Sequence, residues 1–186
     1  MSHPKLLKFE NPVRLAELNP QETLVKLGFK EGMQLCDIGA GTGIFSFEAV
    51  KLTSEKIYAL DISSDMLAII AQRCTERGIN HIVPLQVASG TFPVPSASCD
   101  LALLVTVFHE VDNKEEMLKE IARLLKPTGQ LAVIEFHKRQ TPMGPPVSGR
   151  LSEEDVITIC TSAGFKTSSK LTLGENFYGL IFTLLH

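Results

Sequence analysis

The residues from Leu35 to Gly43 read Leu-Cys-Asp-Ile-Gly-Ala-Gly-Thr-Gly. Three glycines at alternate positions suit a turn that needs φ > 0 and lets a ligand come close to the backbone. An apolar run precedes the turn, and an apolar-faced segment, Ile44 to Val50, follows it. Strand, glycine turn and helix in that order present main-chain N–H groups and a helix N-terminus to a ligand. Ile44 occupies the place of the third glycine in a Gly-x-Gly-x-x-Gly dinucleotide pattern, so that pattern is incomplete. Asp37 stands two residues before Gly39. A second acid, Asp61, closes the apolar run Ile57-Tyr58-Ala59-Leu60, 22 positions after Gly39. An acid at such a strand tip can accept hydrogen bonds from both hydroxyls of a ribose.

Two further groups of chemically active residues end apolar runs. Thr106-Val107-Phe108-His109-Glu110 follows the run from Leu101, and Glu135-Phe136-His137 closes the run from Leu131. His109 titrates near neutrality, so it suits a general base or a substrate contact, and equally a histidine that only orders its loop. His109, His137 and a glutamate have no convincing metal-ligand spacing, and no metal is expected.

The elements that position these residues follow from hydrophobic period and punctuation. Pro4 and Pro12 mark residues 1–18 as an irregular N-terminal segment. Asn19-Pro20-Gln21-Glu22 starts a helix with Asn as N-cap, and Gly28 ends it. Strands are expected over 34–38, 57–60, 82–87, 101–107 and 131–136. Helices are expected over 43–52, from Ser63 or Ser64 to Gly78, and over 113–125, where Lys126-Pro127-Thr128-Gly129 is the stop signal. Thr91-Phe92-Pro93-Val94-Pro95 is a loop. Residues 138–150 hold five prolines and glycines and form the longest irregular stretch, expected to be a mobile loop around Met143. A helix follows from Ser152 to Gly164. Two last runs, 165–173 and 177–185, flank Gly174-Glu175-Asn176 as a hairpin. Strands alternating with helices predict an α/β domain with a mostly parallel sheet.

At 186 residues the chain is expected to form a single domain over 1–186. A hydrophobic share of 44%, a charged share of 21% and a net charge of −3 describe an ordinary soluble surface with no nucleic-acid patch. No apolar run reaches the roughly 20 residues of a membrane span, and no signal core opens the chain, so a cytoplasmic protein is expected. The four cysteines lack Cys-x-x-Cys spacing and read as reduced core thiols.

The combination of Asp37-x-Gly39-x-Gly41-x-Gly43, Leu60-Asp61 and Leu124-Leu125-Lys126-Pro127-x-Gly129 resembles the class I S-adenosylmethionine (SAM)-dependent methyltransferases. The nearest look is to the small ubiquinone/menaquinone-biosynthesis-like C-methyltransferases, over roughly residues 20–186. The resemblance implies a Rossmann-like seven-stranded, mostly parallel sheet in the order 3-2-1-4-5-7-6, strand 7 antiparallel, with helices on both faces. It implies SAM as cofactor and methyl transfer to a small-molecule acceptor by a monomer or homodimer. The cofactor residues it implies are Asp37, Gly39, Ala40, Gly41, Thr42, Gly43, Asp61, Ile62, Met66 and Thr106. Many relatives carry an Asp after strand 3 that bonds the adenine amino group. Ala88 and Ser89 stand there instead, leaving backbone groups or the Ser89 hydroxyl for that contact. The ends of strands 4 and 5 place Phe108, His109, Phe136, His137 and Met143 around the acceptor, with His109 as the catalytic base. Two other readings share these motifs: a non-catalytic SAM-binding protein and an NAD-dependent oxidoreductase. Ile44 and the terminal hairpin count against the second.

Overall fold

A computed structural model describes residues 9–87 and 90–185. Its seven strands are β1 (Leu35–Ile38), β2 (Ile57–Asp61), β3 (Ile82–Gln86), β4 (Cys99–Val105), β5 (Leu125–Phe136), β6 (Phe165–Leu173) and β7 (Phe177–Leu184). They form one sheet in the order β3-β2-β1-β4-β5-β7-β6. Strands β1 to β5 pair in parallel, and β7 runs antiparallel to β5 and β6. The helices are α1 (Pro12–Leu18), α2 (Pro20–Lys26), α3 (Ile44–Ala49), α4 (Ser64–Arg77), α5 (Lys114–Leu124) and α6 (Glu153–Ser162).

Period-two alternation along the strands divides the core between two faces. Cys36, Leu60, Ala102, Leu104 and Val133 pack with Leu118 and Ile121 of α5 and Val156 and Cys160 of α6. Leu35, Ala59, Leu103, Ala132 and Ile134 pack with Leu18, Leu24, Phe45 and Ile70 from the first four helices. Side chains on opposite sides of the pleat thus carry two separate helical layers. All four cysteines are buried and free. Among the described residues no helix is long and apolar enough to cross a membrane.

Several boundaries differ from expectation. Residues 12–18 are helical: Pro12 sits at the first helical position, where its missing N–H costs nothing, and the Asn11 side chain caps the N–H groups of Val13 and Arg14. Asn19 holds the cap position of α2, yet its side chain accepts no cap bond. It adopts a left-handed conformation (φ 36°) that also ends α1, and its amide reaches Glu22 instead. The Ser63 hydroxyl likewise makes no cap; its main-chain N–H goes to Asp61. Strand β4 stops two residues early because Thr106 turns to φ 55°. Strand β5 starts six residues early, at Leu125. A register shift between Cys99 and Leu101 absorbs the extra residues around Pro127, which has no N–H for a regular ladder.

Candidate active site

The glycine turn folds back on its own protein. Gly39, Gly41 and Gly43 all have φ between 56° and 82°. At Gly39 a Cβ would lie 2.4 Å from Val107, so this glycine lets the end of β4 close onto the turn. At Gly43 a Cβ would press on Phe47 and Ile70. The turn's amides are largely donated within the chain: Ala40 N to Leu60 O at 2.9 Å, Gly41 N to Asp61 Oδ2 at 2.8 Å, and Gly43 N to Ala40 O at 2.9 Å. Asp37 Oδ2 accepts from the N–H and the hydroxyl of Ser46, at 3.1 and 2.7 Å, which pins β1 to the first turn of α3. Burial pushes the Asp37 carboxyl up to about 6, against the pull of the Ser46 bonds. Asp61 is held at both oxygens, Oδ2 by Gly41 N and Oδ1 by Ser63 N, each at 2.8 Å.

Above this turn lies a cavity of about 540 Å³. Asp37, Gly39, Ala40, Gly41, Thr42, Asp61, Ile62, Met66 and Thr106 line it. Gly43 does not, because it faces the packing between α3 and α4. Ala88 and Ser89 lie outside the described residues. Ile62 is 78% exposed beside Asp61, an apolar side chain on the cavity rim. Beyond it the wall continues through Val87, Gly90, Phe92, Glu116 and Met117.

A smaller cavity of about 170 Å³ abuts the first. The two share Phe9, Arg14, Thr106 and Glu110 as walls. His109, Phe136 and Met143 line the smaller one, with Gly144 and Pro145. Phe108 lines neither cavity. Phe108 to Glu110 form a 3₁₀ turn, whose 120° step per residue buries Phe108 completely in the core while His109 and Glu110 face the cavities. His137 is absent from both walls as well; its ring packs on Tyr178 of β7, centroids 5.5 Å apart.

His109 Nδ1 lies 2.8 Å from Glu135 Oε2 and 3.0 Å from Oε1, and the main-chain N–H of His109 donates to the same carboxylate. An ionised carboxylate can only accept, so the ring donates from Nδ1 and keeps its lone pair on Nε2. Burial opposes the charged ring, but the Glu135 hydrogen bond and charge outweigh it and hold the His109 pKa above its ordinary value.

Two features of the site gave no signal in the sequence. Arg14 of α1 is buried and donates to Phe9 O and to Thr106 Oγ1, each at 3.0 Å. Its segment had read as irregular. Arg150 ties down the loop expected to be mobile: Nε donates to Pro145 O, Nη1 to His137 O and Arg139 O, and Nη2 to Met143 O. The guanidinium also lies 5.1 Å from the Phe136 ring centroid. The loop thus has four of its carbonyls gathered on one guanidinium.

The model of a family described as "Methyltransferase domain" matches residues 36–133, from β1 into β5. A ubiquinone/menaquinone biosynthesis C-methyltransferase of Laribacter hongkongensis is 32% identical over 146 residues, which are 72% of this chain and 59% of that protein. A demethylmenaquinone methyltransferase of Tropheryma whipplei is 38% identical over 115 residues, 61% of this chain and 46% of that protein. The chain thus spans about half the length of the curated relatives it matches. Among solved structures, a SAM-dependent methyltransferase from Aquifex aeolicus covers all of both chains at a TM-score of 0.92 and 27% identity. The chain belongs to the methyltransferase-domain family, and its sheet is the Rossmann-like sheet of the class I SAM-dependent enzymes.

Proposed function

We propose that the chain is a SAM-dependent methyltransferase that acts on a small, partly apolar acceptor, with the donor in the larger cavity and the acceptor in the smaller. The observation that carries this reading is Asp61. Its two oxygens are fixed by Gly41 N and Ser63 N, so the carboxylate is already aimed into the cavity, and each oxygen retains a lone pair for a ribose hydroxyl. The volume fits a cofactor, since ligand sites run to roughly 300–1,000 Å³. Exposed Ile62 offers an adenine ring an apolar face, and Glu116, on the same wall, offers its amino group an acceptor in place of an Asp at 88. The committed amides of Ala40, Gly41 and Gly43 speak against a pyrophosphate, which needs free N–H groups at such a turn. An NAD-dependent oxidoreductase is disfavoured on that ground.

The donor supplies an electrophilic methyl on a sulfonium. What this chain must do is hold a nucleophile in line with it and exclude water. Phe9, Phe136 and Met143 supply apolar walls. His109, with Glu135 behind Nδ1 and Glu110 3.7 Å from Nε2, takes a proton from an acceptor whose nucleophilic atom carries one. The relatives' names offer a first acceptor to try, demethylmenaquinone, methylated at carbon. The first experiment is thermal unfolding with S-adenosylhomocysteine and with NAD. A ligand bound only by the native state raises the melting temperature. A clear rise with S-adenosylhomocysteine and little with NAD is expected; the opposite order would reject the proposal.

A further inference from the structure

We infer that Arg14 is the residue that receives the carboxylate of the donor's amino-acid tail, and that α1 is therefore part of the cofactor site. This rests on the donor reading above. Among the described residues that line the larger cavity, four carry carboxylates, Asp37, Asp61, Glu110 and Glu116, and one carries a cation, Arg14. An anionic group entering such a cavity needs a compensating charge or free N–H groups. The glycine turn is a poor source of the second: three of its amides are donated to Leu60 O, Asp61 and Ala40 O. A free carboxylate would meet repulsion from four side chains of the wall and attraction from one.

Arg14 is prepared for that partner. It is 9% exposed, and its two hydrogen bonds go to neutral oxygens, Phe9 O and Thr106 Oγ1. A guanidinium has five N–H donors, so donors remain for a ligand. Burial pushes its pKa down to about 10, with the charge of Glu135 opposing, so it keeps its proton at neutral pH. The carboxylate of Glu135 hydrogen-bonds to His109, and no ion pair joins it to Arg14. The Thr106 hydroxyl that fixes the guanidinium is presented from a left-handed backbone, φ 55°. A β-branched residue adopts that conformation only where its surroundings enforce it. Because Arg14 also lines the smaller cavity, this contact would place the donor's tail beside the junction where the methyl is handed over.

The test compares two probes by calorimetry: S-adenosylhomocysteine, which has the amino-acid tail, and 5′-methylthioadenosine, which lacks it. Arg14→Met keeps the apolar stem, and Arg14→Lys keeps the charge without the fork. The expected result is that Arg14→Met weakens S-adenosylhomocysteine about 10- to 100-fold, the scale of hydrogen bonds to a charged group. Binding of 5′-methylthioadenosine should stay within a factor of about three, and Arg14→Lys should fall between. An equal loss for both probes would make Arg14 a merely structural wall. An unchanged S-adenosylhomocysteine affinity would assign it to the acceptor. Either result overturns the inference while leaving the donor reading intact. If neither probe binds the unaltered protein, the donor reading itself fails and the inference with it.

Discussion

Glu135 Oε2 lies 2.8 Å from Nδ1 of His109, although 26 residues separate the two in the chain. The parallel register makes the contact: Val105, the last residue of β4, pairs with Ile134 of β5, so the turn that follows β4 comes beside Glu135, the next residue of β5. If His109 is the base, turnover should rise with pH through an inflection above the ordinary histidine value of about 6.5. Glu135→Gln should move that inflection to lower pH and slow the reaction roughly 10- to 100-fold. The ring's own titration, followed by NMR, checks the shift without an acceptor. An unmoved pKa in Glu135→Gln would remove the pair from the mechanism.

The same pair should appear in stability. A histidine whose folded pKa is raised contributes stability that is full below its unfolded pKa and is lost as pH rises through the folded one. Asp37 acts in the same direction. Its folded pKa of about 6 lies above the ordinary 3.8, so the folded state holds that proton more tightly, and the advantage disappears between about pH 4 and pH 6. Two pKa units correspond to about 3 kcal/mol. Asp37→Asn, which can still accept from Ser46, should therefore melt higher than the unaltered protein at pH 8 and show little gain at pH 4. A difference that does not vary with pH would contradict this.

For Asp61, loss of the carboxylate should weaken S-adenosylhomocysteine roughly 30- to 1,000-fold in Asp61→Ala, the scale of two charge-assisted hydrogen bonds. Asp61→Asn should behave nearly as badly. Both oxygens already accept main-chain N–H groups, from Gly41 and Ser63, and an amide NH₂ in either place would face a donor with a donor. Calorimetric affinities near that of the unaltered protein for Asp61→Asn would show that these contacts do not constrain the site.

Arg150→Met should separate the two cavities. Four carbonyls of the 137–145 segment lose a bond from Arg150, although Met143 O keeps Thr141 Oγ1 and His137 O keeps the Arg139 N–H, and Phe136 loses its cationic neighbour. A stability loss of about 2–3 kcal/mol is expected, a drop of roughly 5–10 °C in melting temperature. Affinity for S-adenosylhomocysteine should remain, because the larger cavity does not involve this loop. The KM for the acceptor should rise. Loss of donor affinity instead would mean that the loop supports both sites.

What the sequence disclosed depended on how local each feature is. The turn at Gly39–Gly43, the acid at 61 and the hairpin at 174–176 are set by neighbouring residues, and they stand where expected. Arg14 was hidden because its partner, Thr106, lies 92 residues away and because Pro12 looked like a breaker when it is a helix start. Phe108 and His109 are neighbours in sequence with opposite fates, and only the 3₁₀ twist of the turn decides which faces the cavity. Loop 138–150 looked loose from its prolines and glycines; the residue that restrains it, Arg150, closes the same stretch and shows its role only through carbonyls gathered around it.

Helix α1 carries one more attachment. Glu17 accepts from the main-chain N–H groups of Glu175 and Asn176 and from the Asn176 side chain, across 159 residues of chain. The wall that holds Arg14 is thus fastened to the last hairpin of the sheet. During synthesis on a ribosome, α1 leaves the tunnel long before β7 does, and Glu17 has no partner for this attachment until that hairpin has formed. The pocket would then become competent only when the final strands arrive, so a nascent or truncated chain that already shows the glycine turn and Asp61 should still be unable to retain its ligand.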